Sequence, residues 1–145
     1  MGTLPTLLFE YLKDLNLMVL FQGTTPPSDP EWDAHLRAVM SAPTDPPFRV
    51  LVVSRGAHPS RAQQQRLTAL VRNRKTKVAV VTSAVGVRFV VSILTLINRH
   101  MRSFQPEQRG AALHYLGLTR AQAEQVSLVV DRLATQITLP NPLVA

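Results

Sequence analysis

The sequence predicts an α/β domain: a mixed, mostly parallel sheet of four to five strands packed with helices, plus one extra helix at the C-terminal end. Three observations carry this expectation. The β-branched apolar runs Phe48 to Val53 and Val78 to Val81 are separated by a helix-patterned segment, the signature of a β-α-β unit. Capping-box spacings at Ser28 to Glu31, Ser60 to Gln63 and Thr119 to Gln122 mark three helix starts. Leu7 to Leu12 and Leu17 to Phe21 are apolar runs separated by Lys13-Asp14-Leu15-Asn16, whose Asp and Asn favour a tight reversal. The resulting hairpin makes the sheet mixed.

After a Gly-, Thr- and Pro-rich loop, Trp32, His35, Leu36, Val39 and Met40 recur at helical spacing. They give residues 29 to 42 one apolar face. Pro43 to Pro47 ends that helix, because proline can neither donate to it nor let its predecessor stay helical. Phe48 to Val53 is apolar almost without interruption, as a strand buried on both faces must be, so it belongs in the middle of the sheet. Leu67, Leu70 and Val71 line one side of the helix that starts at Ser60. The basic stretch Arg72-Asn73-Arg74-Lys75-Thr76-Lys77 then turns the chain into the strand Val78 to Val81.

Ala84 to Arg99 reads as an unusually apolar helix. Val87, Val90, Val91, Leu94 and Ile97 face one way, while Phe89, Ile93 and Leu96 spill onto neighbouring faces. Met101 to Phe104 is a short edge strand, and Gln108 to Leu116 is a short helix stopped by Gly117. Ala123, Val126, Val129, Val130 and Leu133 form the apolar stripe of the last helix, which runs to about Ile137. Pro140 and Pro142 mark a loosely attached end.

At 145 residues the chain suits one hydrophobic core, and its 46% hydrophobic and 17% charged residues are those of a globular protein, so residues 1–145 form a single domain. It has no cysteine, which rules out disulfides, thiolate metal sites and a cysteine nucleophile. The first residues do not read as a secretory signal. The stretch Val85 to Ile97 is interrupted by Arg88 and falls short of the roughly 20 apolar residues a membrane span needs. No membrane span and a cytoplasmic location are expected. Charge is unevenly distributed. Residues 1 to 47 hold 2 basic and 6 acidic side chains, whereas residues 48 to 145 hold 14 basic and 3 acidic ones. Such a dipolar chain can meet nucleic acid, an acidic surface, an acidic protein or a second copy of itself.

Groups for catalysis are scarce. His35, His58, His100 and His114 lie on different elements without metal-ligand spacing, so no metal is expected. His58 beside Ser60 is the one conceivable base and nucleophile pair, yet no orienting acid or oxyanion loop accompanies it. Gly56 and Gly86 stand alone, so no phosphate-binding glycine loop and no cofactor is expected. The set Arg55, Arg61, Arg66, Arg72, Arg74, Lys75 and Lys77 could neutralise phosphates, but it lacks interleaved aromatics for base stacking. Trp32, Phe89 and Tyr115 fall within apolar helical patterns and read as core or helix-packing residues.

The order strand, strand, helix, strand, helix, strand, helix, strand, helix resembles the STAS domain, the fold of anti-sigma-factor antagonists and SpoIIAA-like proteins. The resemblance covers about residues 6 to 118. It is carried by the opening pair ending in Phe21-Gln22-Gly23, by Phe48 to Val53 entering a loop and helix, and by Val78 to Ser83 entering an apolar helix. The C-terminal helix, about 119 to 137, and a loose tail, 138 to 145, lie outside it.

What the resemblance implies is a non-enzymatic regulatory protein-protein interaction module. In phosphorylated members an Asp-Ser-Ser-Gly-like motif follows the third strand; here that position reads Ser54-Arg55-Gly56-Ala57-His58-Pro59-Ser60, and the motif is absent. Ser60, at the helix start, is the candidate phosphorylation site, with Ser54 the weaker alternative. Phe89, Ile93 and Leu96, with Arg55 and Arg61, form the candidate interaction surface for a protein partner or a second copy. The C-terminal helix is the expected cover for the apolar patch, and an exposed docking surface is its alternative. The competing functions are a small-molecule or lipid-binding carrier and a basic nucleic-acid-associated protein.

Overall fold

The computed structural model of the chain describes residues 5–71, 74, 76–96 and 99–138. Arg72, Asn73, Lys75, Ile97 and the tail with Pro140 and Pro142, singled out above, lie outside the described residues. Five strands form one sheet: β1 (Leu7–Leu12), β2 (Leu17–Gln22), β3 (Arg49–Ser54), β4 (Lys77–Val81) and β5 (Met101–Phe104), in spatial order 1-2-3-4-5. β1 and β2 pair antiparallel, with Leu7 opposite Gln22; the remaining pairs are parallel, with Leu17 opposite Arg49 and Arg49 opposite Lys77. The hairpin closes on Asn16 in the left-handed region, φ 45°, where asparagine is tolerated. Its Nδ2 donates to the carbonyls of Pro43 and Pro46, 2.9 and 2.7 Å away.

Each parallel strand is added on the same side of its predecessor. Right-handed crossovers therefore place α1 (Asp29–Ser41), α2 (Arg61–Val71) and α3 (Val85–Leu94) on a single face. The period-2 alternation of the strands divides their side chains between two cores. Met18, Val50, Val78 and Val80 meet Val39 of α1 and Val87 and Val91 of α3, and Leu7 and Leu20 meet Trp32 and Leu36 of α1 with Leu67 and Leu70 of α2 packed against them.

Leu17, Val19, Phe21, Leu51, Ala79 and Val81 face the other way, against α4 (Arg109–Tyr115) and α5 (Arg120–Thr138). β3 is central, as its apolar run requires.

The three capping boxes form. The amides of Glu31, Gln63 and Gln122 donate to the hydroxyls of Ser28, Ser60 and Thr119, and the side chains of the same three residues accept from the capping residues' amides. The structure corrects several expected boundaries. The helix expected to run to Arg99 ends at Leu94, and the one expected from Gln108 starts at Arg109 after a 3-10 turn at Pro106–Gln108. Met40, placed on the apolar face of α1 by spacing, is exposed.

The larger correction concerns α5. It does not cover α3; Val126, Val129, Val130, Leu133 and Ile137 pack against β1 and β2 on the opposite face of the sheet. Having no crossover to make, α5 is free to cover the face that α1 to α3 leave open, where Leu17, Val19 and Phe21 need burial.

Candidate functional site

Two regions of the α1 to α3 layer are candidates: the outward side of α3, and a cavity beneath the layer. On α3 the spacing places Val85, Phe89 and Ile93 along one side, opposite the buried Val87 and Val91, and Leu96 follows in the turn after the helix. Their exposures are 78%, 65%, 46% and 84%, so a continuous apolar strip faces solvent. Phe89 is thus not a packing residue, contrary to the sequence expectation; Trp32 is fully buried and Tyr115 half-buried against Phe104, ring centroids 5.7 Å apart. A shallow groove between α2 and α3 brings Arg61, Gln64 and Thr68 together with Ile93 and Leu94. Arg88, on α3 itself, is exposed as well.

Arg55 does not join this surface. Its guanidinium lies 5.5 Å from the centre of the Phe21 ring, which belongs to the other core. Other members of the basic set have structural partners too. Arg66 pairs with Asp33, Arg74 donates to the carbonyl of Val39 at 2.7 Å near the end of α1, and Lys77 lies 5.0 Å from the Tyr115 ring. They are spread over both faces of the domain and do not form one phosphate-binding track.

The loop after β3 settles the surroundings of both serines. Ser54 is 5% exposed; its hydroxyl donates to the Ala57 carbonyl at 2.6 Å and accepts from the Gly56 amide at 3.1 Å. The backbone around it is pinned by Arg55 and Ala57 amides donating to the carbonyls of Gln22 and Gly23. Ser60 is exposed, and its hydroxyl caps α2. His58 Nδ1 contacts the Pro59 carbonyl at 3.1 Å, so histidine and serine each serve the backbone rather than one another. Among the described residues no group of three or more histidines and carboxylates could hold a metal, and no helix is long and apolar enough to cross a membrane.

The second region lies between helix and sheet, where the carrier alternative would hold an apolar ligand. α2 is fastened at its N-terminal end, where Trp32 Nε1 donates to the Gln63 carbonyl at 3.1 Å and Gln63 Nε2 donates to Pro27 and Asp29 at 3.0 and 2.9 Å. Further along, Leu67, Thr68 and Leu70 are only half-buried. Between this helix, α1, α3 and the sheet lies a cavity of about 100 Å³ with apolar walls. His35 is one of its lining residues.

His35 is 2% exposed, and its ring sits 4.7 Å from that of Trp32 and 6.2 Å from that of Phe9. Burial pushes its imidazole down to about 4, so it is neutral at physiological pH. Its Nδ1 is buried without a hydrogen-bond partner, a state that costs about 1 to 3 kcal/mol. The signal in the sequence was a single polar residue inside the stripe Trp32, Leu36, Val39.

No family model, curated protein or solved structure matches the chain.

Proposed function

We propose that this chain is a non-enzymatic regulatory protein-interaction module of the STAS type, docking an acidic, amphipathic segment of another protein on the outward side of α3 and the groove beside α2. The observation that carries the reading is the uncovered strip Val85, Phe89, Ile93 and Leu96. Contiguous exposed apolar surface of this kind marks an interaction site far more often than isolated exposed side chains do. Charge selects the partner's chemistry. Arg61 borders the groove and Arg88 is exposed on α3, within residues 48 to 145, which hold 14 basic and 3 acidic residues. A partner with apolar side chains flanked by carboxylates complements this surface in both respects. The element order, strand pair first and three crossover helices after it, is the order the STAS resemblance implies.

Ser60 fits a switch on the same surface. It is exposed, caps α2 and precedes Arg61, so phosphorylation would add a charge of about −1.5 to −2 next to the groove and repel an acidic partner. Ser54, buried and hydrogen-bonded twice, is left out of the proposal.

The test compares capture of proteins from the native lysate by the wild type, Phe89→Glu and Ser60→Glu at low and raised salt. An acidic protein held stoichiometrically by the wild type, released by salt and lost with Phe89→Glu supports the proposal. Equal retention by Phe89→Glu, or salt-sensitive retention of nucleic acid alone, overturns it.

A further inference from the structure

We propose that the cavity between the sheet and the α1 to α3 layer is a binding site for a short aliphatic carboxamide, whose amide group pairs with the side-chain amide of Gln22. This site is separate from the α3 docking surface and stands or falls without it. Gln22 ends β2, and the alternation that turns Met18 and Leu20 toward the α1 to α3 layer turns it the same way, where it lines the cavity. The residue is 3% exposed. Among the described residues its side-chain amide has no hydrogen-bond partner, yet neither its oxygen nor its nitrogen is shut off from a water-sized molecule. His35 Nδ1 is shut off and takes no part.

The sheet separates polar from aliphatic surface along the cavity. Gln22 and Ser54 are neighbours in register at the carboxyl ends of β2 and β3; two residues back Leu20, Val52 and Val80 are neighbours in the same way, and all five line the cavity. The two rungs lie roughly 7 Å apart. At the polar end the Ser54 hydroxyl is already bonded to Ala57 and Gly56, and His58 Nδ1 faces the Pro59 carbonyl, so Gln22 is the group left to bind. Thr76 lies at the other end of the sheet, just before β4, and Thr68 on α2.

Three properties define the occupant. The first is charge. No lysine, arginine, aspartate or glutamate lines the cavity, so an ionised ligand would be desolvated without a counter-charge. The second is the polar group. A glutamine amide presents an acceptor and a donor side by side, and a ligand carboxamide answers both with two antiparallel hydrogen bonds. The third is size. A cavity of about 150 Å³ takes up benzene, so one of about 100 Å³ holds about four or five non-hydrogen atoms. A water would satisfy the Gln22 amide but leave the rung of Leu20, Val52 and Val80 facing empty space; a short alkyl chain covers it.

The experiment is a titration of the full chain with propionamide, and in parallel with 2-butanone, in which a methyl group replaces the NH2, and with propionate, followed by side-chain amide and methyl NMR. Saturable shifts of the Gln22 Nε2 resonance and of the Leu20, Val52 and Val80 methyls by propionamide are expected, with binding about tenfold weaker for 2-butanone and no saturable shift from propionate. Gln22→Met keeps the length of the side chain and removes its amide, and should bring propionamide down to the level of 2-butanone. An unmoved Gln22 resonance at the end of the propionamide titration, or the absence of saturable methyl shifts, overturns the proposal. So does equal binding of propionamide and 2-butanone by the wild type, a comparison that needs no variant to fold, or undiminished binding of propionamide by Gln22→Met.

Discussion

The indole of Trp32 donates to the backbone carbonyl of Gln63 across 3.1 Å, joining the buried face of α1 to the first turn of α2. The Gln63 side chain completes the joint: its oxygen caps the Ser60 amide at 2.8 Å, and its nitrogen donates to Pro27 and Asp29. A glutamine that reads in the sequence as the polar partner of a capping box is therefore also the clamp that sets α2 over the cavity.

Gln63→Leu keeps the volume but leaves the Ser60 amide and the Pro27 carbonyl without their partner. With neutral hydrogen bonds contributing about 1 kcal/mol each and buried orphans costing about 1 to 3, a loss of about 2 to 3 kcal/mol is expected. Urea denaturation measures the loss. Hydrogen exchange should localise the increased opening to residues 61 to 71.

The two sides of α3 should respond oppositely to substitution. Val91→Ala removes methyl groups from the core beneath the helix and should cost about 1 to 3 kcal/mol. Phe89→Glu changes a side chain that projects into water and should shift stability by about 0.5 kcal/mol or less while abolishing partner binding. Equal destabilisation by both substitutions, read by the same denaturation, would mean that Phe89 is packed.

His35 gives stability a defined pH dependence. Burial lowers its folded pKa to about 4, below the ordinary value near 6.5, so between these values the unfolded chain binds a proton that the folded one does not. Stability is fully present above about pH 6.5 and falls as pH drops toward about 4, by about 3 kcal/mol in all. Glu31 acts lower. Burial by itself would raise its pKa, but hydrogen bonds from the Thr6 and Ser28 hydroxyls and amides hold it at about 2, so its stabilisation is lost only as pH falls below about 4.5. Denaturation midpoints measured from pH 7 to pH 4 should decline for the wild type and stay nearly flat for His35→Phe.

The strands and helix starts were legible because their signals are local. β-Branched runs, capping boxes and the Asp-Asn reversal involve residues within a few positions of one another, and β1, β2 and the three capped helices begin where these signals put them. The position of α5 was not legible, because an amphipathic stripe says that a face is buried without saying which surface buries it. The exposed strip on α3 followed from that: Phe89, Ile93 and Leu96 were visible as residues spilling off the packed face, but whether anything covered them depended on α5. Arg49 shows the same limit. In the sequence it is a charge near the start of a buried strand; in the fold its guanidinium donates to the carbonyls of Leu15 and Leu116, which only the assembled sheet and α4 bring together. Partial burial accordingly lowers its pKa.

The docking surface on α3 is tested most directly by hydrogen exchange of the chain alone and saturated with its captured acidic partner. Protection concentrated in residues 85 to 96 and in the Arg61 to Thr68 side of the groove, and lost when Phe89→Glu is mixed with the same partner, is the predicted result. Protection confined to β1 and the outer side of α5, with α3 unchanged, would contradict it and move the interface to the opposite face of the sheet.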